Sequence, residues 1–148
     1  MSIKPGFGDA ILDGRKRAEL RRLVNGPITP GDTVVLYLSS PRKAIEGFFK
    51  AERVYIGKRG ELMRIAKGLG DLGLREGDWN YIDEDREGMM IIVSEPRRCI
   101  KPLTLDQLIS VFPWFKPPLS YIRLKPNSDV YWLIFRRCIE PYFRSLWK

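Results

Sequence analysis

Thr33-Val34-Val35-Leu36-Tyr37-Leu38 is an unbroken apolar, β-branched run, bounded by Pro30-Gly31-Asp32 before it and Ser39-Ser40-Pro41 after it. Six residues between turn signals are too few for a free-standing helix and fit a strand buried on both faces. A longer strand is predicted over 43–56, where Ile45, Gly47, Phe49 and Ala51 alternate with Glu46, Phe48, Lys50 and Glu52. Two strands joined by so short a connector become sheet neighbours with no crossover helix between them, which excludes a regular βαβ succession.

The remaining elements are read around that pair. Phe7, Ala10 and Ile11 suggest a short helix over 7–13, with Gly14 at the left-handed cap position. Residues 17–22 read as a strand, and Asn25-Gly26-Pro27 as a turn. Leu62, Ile65, Ala66 and Leu69 mark a helix over 59–70, and a second short helix is expected around 74–82. Met89-Met90-Ile91-Ile92-Val93 begins a buried strand running towards Ile100, and Thr104 caps a short helix. Residues 120–124 are expected as a strand. A C-terminal helix follows from 126–128 and is expected to break or kink at Pro141. The sum is an α+β fold around a small, mostly antiparallel β-barrel flanked by helices. The length suits one domain over 1–148, with a core at about 7–125 and a C-terminal helical extension at 126–148.

Charge narrows the function classes. The formal net charge is +8, and the basic residues gather in 15–22 and 97–148. The segment Asp71 to Glu87 carries seven acidic residues against Arg75 and Arg86. This polarity favours an acidic partner, with the acidic segment turned away from it on the solvent side. The absence of histidine removes the commonest general base and the commonest zinc ligand. Neither a metal site nor a cofactor is expected. Cys99 and Cys138 read as small packed hydrophobes. A disulfide between them is the alternative, favoured if the chain is thermophilic, as its few Asn and Gln beside many Arg suggest. No apolar run is long enough to span a membrane and no signal-like segment opens the chain, so a cytoplasmic location is expected.

The densest chemistry lies in Gly14-Arg15-Lys16-Arg17-Ala18-Glu19-Leu20-Arg21-Arg22. On a strand, Arg17, Glu19 and Arg21 share one face and Ala18 and Leu20 the other. Glu19 would then hold guanidiniums in fixed orientation as receivers for a phosphate or a base edge. A plain solvated basic face is the competing reading.

Gly14-x-Lys16-x-x-Glu19-x-Arg21 resembles the G-x-K-x-x-E-x-R signature of the ASCH domains of the PUA-like superfamily. Tyr37-Leu38-Ser39-Ser40-Pro41, Lys43-Ala44-Ile45-Glu46-Gly47-Phe48-Phe49, Pro102-Leu103-x-Leu105 and Pro118-x-Ser120-Tyr121 are similar to later family segments. The resemblance implies a PUA-like β-barrel whose cleft carries the signature. It also implies RNA or modified-nucleotide binding, with Lys16, Glu19 and Arg21 lining the cleft, Ser39 and Ser40 at its rim, and Tyr121 nearby. One branch of relatives is an amidohydrolase for acetylated cytidine built on G-R-K-x-x-T. Here Glu19 stands in place of that Thr, and a carboxylate does not substitute for a hydroxyl nucleophile.

The expected function is an RNA- or nucleotide-binding module, with DNA left open as a partner, no membrane, and the oligomeric state unassigned. Arg15, Arg17, Arg22, Arg42 and Lys43 would meet phosphates. Trp79, Trp114 and Tyr121 are the candidate stacking rings, although each also reads as a core residue or loop anchor. The alternative is an enzyme, a metal-dependent ribonuclease or nucleoside amidohydrolase. Lys16 would then be a base made available by crowding from Arg15, Arg17 and Arg21, and Glu19 an acid, base or metal ligand.

Overall fold

A computed structural model describes residues 1–146. It contains β1 (Ser2–Ile3), α1 (Pro5–Leu12), β2 (Ala18–Arg22), β3 (Thr33–Leu38), β4 (Ala44–Gly57) and α2 (Arg59–Gly68). A 3₁₀ turn (Glu76–Tyr81), β5 (Gly88–Thr104) and α3 (Leu105–Val111) follow. The chain ends in α4 (Asp129–Ile134), a π-helical segment (Phe135–Ile139) and α5 (Glu140–Leu146). Among the described residues no helix is long and apolar enough to cross a membrane.

The mixed α+β class holds, but the strands form an open five-stranded sheet in the order β1-β3-β4-β5-β2. A closed barrel needs its outermost strands to pair, and here β1 and β2 stand at opposite edges. The two residues of β1 lie parallel to β3, Ser2 opposite Tyr37 and Ile3 opposite Leu38. So short a strand carries no periodicity, which is why the sequence does not announce it. The expected strand at 120–124 is irregular chain instead. Beside it, Ser2 N donates to Ser120 O at 2.8 Å, and Ser2 Oγ to Pro118 O at 2.6 Å. Prolines at 117 and 118 lack the N–H groups that a ladder requires.

The chain divides into two compact units, and β3, β4 and β5 each contribute residues to both. The first comprises 1–8, 35–48 and the chain from 97 onward. Its core joins Tyr37, Ile45, Phe48, Leu103 and Leu108 to Val130, Ile134 and Cys138 of the C-terminal helices. Those helices are therefore integral to this unit, and α4 starts cleanly because Ser128 Oγ accepts from Tyr131 N. Pro141 does not break them. The helical chain runs on through it, and the wider π turn stands directly before it, at the place where a residue without an N–H interrupts regular α-helix bonding. Cys99 and Cys138 are both buried, as a hydrophobe would be, and they are also bonded to each other, with Cα atoms 4.5 Å apart.

The second unit comprises 9–34 and 49–96. Ala18, Leu20, Leu62, Leu72, Trp79, Ile82 and Met90 form its core. Edge strand β2 runs antiparallel to β5, from Ala18 opposite Ile92 to Arg22 opposite Gly88. Gly88 is required there, because an added Cβ would fall 2.5 Å from Ile82 Cδ1 and 3.0 Å from Arg21 O.

Candidate nucleic-acid interface

The basic signature is held by backbone before any side chain acts. Gly14 leaves α1 at φ +83, and the N–H groups of Arg15 and Lys16 both donate to Ala10 O at 2.9 Å. Arg17 N then donates to Leu72 O at 2.8 Å, and Val93 N to Arg17 O at 3.0 Å. Gly73 closes against this segment so tightly that a Cβ would lie 2.0 Å from Arg15 O. Residues 15–17 are thus clamped between the 71–73 turn and β5.

That clamp buries charge. Lys16 is 5% exposed and Glu19 4%. Lys16 Nζ donates to Glu19 Oε1 at 3.0 Å, and Arg21 Nη2 donates to Glu19 Oε2 at 3.1 Å. Glu19 Oε1 also accepts from Leu20 N at 3.1 Å, which fixes the carboxylate plane. Alternation along β2 explains the placement, with Ala18 and Leu20 in the core and Glu19 and Arg21 on the opposite face. The expectation that Glu19 orients a guanidinium holds for Arg21, which shows only 13% of its side chain. Arg17 is exposed.

A fourth member comes from the acidic segment. Asp78, 5% exposed, lies 3.5 Å from Lys16 Nζ through Oδ1, and its Oδ2 accepts from Arg75 N at 2.7 Å. The segment therefore does not turn away from the basic motif. Its 3₁₀ turn packs against β2, and Asp83 pairs with Arg22 at 3.6 Å. Opposite charge meets the Lys16 ammonium at Glu19 and Asp78, where crowding by like charge was expected. Asp78 was missed because it sits in a run of acids, yet it falls on one helical face with Trp79 and Ile82, and that spacing marks it as inward-facing.

The other expected contacts divide. Arg15 is exposed and pairs with Asp13 at 3.1 Å, and Arg22 leaves 64% of its side chain to solvent. Ser39, Ser40, Arg42, Lys43 and Tyr121 belong to the first unit. There Ser39 O accepts from Arg42 N, Ser40 is exposed, and Arg42 forms a two-pronged ion pair with Glu46. Lys43 is exposed, with its carbonyl holding Leu105 N at 2.9 Å. Tyr121 and Trp79 are buried at 6% and 8% exposure, so neither ring stands free as a platform. Trp114 is 68% exposed, so it is no core residue, and its ring touches those of Phe112 and Phe115.

The arrangement offers exposed guanidiniums for phosphate and, beside them, a buried ammonium–carboxylate–guanidinium set. Among the described residues no three of Cys, Asp and Glu gather to hold a metal ion.

No protein-family profile matches the chain. It is 27% identical over 129 residues to an ASCH domain-containing ribonuclease of Zymomonas mobilis, spanning 86% of this chain and 84% of that protein. The crystal structure of ASCH from Zymomonas mobilis has a TM-score of 0.74 at 24% identity, covering 90% of this chain and 91% of that one. A crystal structure of a mutant of the same protein also gives 0.74, covering 90% and 92%.

Proposed function

We propose that this chain, which carries an ASCH domain, binds RNA at the face built by Arg15, Lys16, Arg17, Glu19, Arg21 and Arg22. One observation carries the reading. Among the described residues, Lys16, Glu19 and Asp78 are the buried charged side chains in an otherwise apolar core. Taking ions out of water costs several kcal/mol each, and apolar replacements are often at least as stable, so such a set is poorly explained by stability. It is explained by the need to hold Arg21, which keeps 13% of its side chain exposed, in fixed geometry for a polyanion, with Lys16 and Asp78 balancing the buried charge around Glu19. Exposed Arg15, Arg17 and Arg22 supply the phosphate contacts.

The test is fluorescence anisotropy with single-stranded RNA at rising salt. Binding is expected to weaken steeply between 50 and 200 mM salt, roughly as the number of neutralised phosphates dictates. Failure to bind any RNA at low salt sinks the reading.

A second reading is RNA cleavage, favoured by the relative named as a ribonuclease. Glu19 and Lys16, 3.0 Å apart, would then act as base and acid: Glu19 takes the proton of a ribose 2′-hydroxyl as its oxygen bonds to the adjacent phosphorus, and Lys16 gives a proton to the 5′-oxygen whose bond to that phosphorus breaks, leaving a 2′,3′-cyclic phosphate. Incubation of labelled RNA with and without Mg²⁺ or Mn²⁺ decides it. Turnover lost in both Lys16→Ala and Glu19→Ala, with thermal melting showing both variants folded, selects cleavage, and intact RNA under every condition rules it out.

A further inference from the structure

The second unit carries an open surface hollow of about 210 Å³ that includes neither Lys16 nor Glu19 in its lining. One wall is a stripe of α2, where Met63, Ala66 and Lys67 stand at positions i, i+3 and i+4 and therefore share a face. Gly70, Asp71, Leu72, Leu74 and Trp79 complete the lining. Leu72 and Trp79 are buried, whereas Lys67 and Asp71 are exposed, so the floor is apolar and the mouth carries one cation and one anion. Met63 is 37% exposed at the same place, an apolar side chain left to solvent beside an apolar hollow.

We infer that this cavity receives a single nucleobase of the bound RNA, an inference that rests on the RNA reading above. Size supports it: the volume lies below the roughly 300–1,000 Å³ of pockets for drug-sized ligands, and suits one planar ring system. Chemistry supports it too. A base is apolar on its faces and carries both donors and acceptors on its edge, and the cavity pairs an apolar floor with an ammonium and a carboxylate at the mouth. Trp79 is buried but belongs to the lining, so its indole reports on anything that enters.

Position supplies the third argument. The turn that forms the cavity wall is bonded directly to the basic motif. Leu72 O holds Arg17 N, and Gly73 abuts Arg15 O. A strand whose phosphates lie along Arg15 and Arg17 therefore has a base-sized hollow behind the very turn that clamps those residues. The charge complement is local, since exposed Arg15 and Arg17 attract the backbone while the hollow takes the uncharged ring.

The experiment titrates ¹⁵N-labelled protein with a single-stranded hexanucleotide and with each of the four nucleoside 5′-monophosphates. The expected result is movement of the Trp79 indole N–H and the Leu72 and Leu74 amides, together with those of Arg15 to Arg17. Ala66→Phe, which fills the cavity, and Lys67→Glu, an exposed change that leaves the fold intact, should each weaken hexanucleotide binding at least fivefold. Thermal melting confirms that both variants fold. Wild-type affinity in Lys67→Glu and in folded Ala66→Phe, with shifts confined to residues 15–22, overturns the cavity inference and leaves RNA binding standing. No shift with any RNA overturns both.

Discussion

The Lys16 ammonium meets the Asp78 carboxylate at 3.5 Å, although the two come from segments of opposite charge that are remote in sequence. With Glu19 at 3.0 Å on the same nitrogen, the cation is held between two acids, all about 5% exposed. Removing one partner from a buried set strands the others. Lys16→Met is therefore expected to cost about 3–5 kcal/mol in urea unfolding, because two carboxylates lose their shared cation. Restoring neutrality with Lys16→Met/Asp78→Asn should recover part of that loss. A double-mutant cycle with no coupling would show that the pair does not act together.

Gly73 has the most constrained backbone beside the site. Its φ is +69 and an added Cβ would lie 2.0 Å from Arg15 O, a backbone atom that cannot step aside. Gly73→Ala is expected to destabilise by more than about 1 kcal/mol, since left-handed backbone and steric overlap act together. It should also weaken RNA binding by releasing the clamp on Arg15 to Arg17. Gly77→Ala is the control, because a Cβ there meets nothing within 4 Å.

The covalent link in the first unit closes a large loop. Cys99 and Cys138 are 39 residues apart in sequence, and the chain-entropy relation gives about 4 kcal/mol for a loop of that length. Cys138→Ala, or reduction of the intact protein, should lower the unfolding free energy by about that amount. Equal stability with and without reductant would remove the bond from the account.

Local pattern made most elements legible. The alternation over 43–56, the apolar run over 33–38 and the Thr104 cap appear as β4, β3 and α3, the last with Thr104 Oγ1 accepting from Gln107 N at 3.1 Å. Features set by distant partners were not legible. Two-residue β1 exists only because β3 offers it an edge, and sheet closure depends on which strands end up outermost. Of the buried charged set, Glu19 and Arg21 were readable as one strand face from spacing, Lys16 entered through the resemblance, and Asp78 was hidden among solvated acids. Its burial comes from the packing of Trp79 and Ile82 beside it.

Tyr37 gives the alkaline behaviour a specific source. Its ring is buried in the first unit, and burial raises its hydroxyl above the ordinary value of 10.0 by disfavouring the phenolate. A folded value above the unfolded one means the contribution is intact below pH 10 and is lost as pH rises through the folded value. Tyr37→Phe should leave stability at neutral pH nearly unchanged and flatten its decline above pH 10. An identical alkaline limb in the variant would assign that decline to other groups.

The exposed arginines should separate from the buried set in their salt response. Arg17 and Arg22 face solvent, whereas Glu19 and Arg21 are locked to each other. For single strands each phosphate contact contributes about 0.7 to the slope of log affinity against log salt. Arg17→Ala and Arg22→Ala are expected to lower that slope by about 0.7 each, with similar losses for every RNA sequence. Glu19→Gln removes no phosphate contact, so its slope should stay while affinity falls through misplaced Arg21 and Lys16. If Glu19→Gln instead flattens the slope as much as Arg17→Ala does, the buried carboxylate is not a positioning group, and the division between exposed phosphate contacts and a buried orienting set fails.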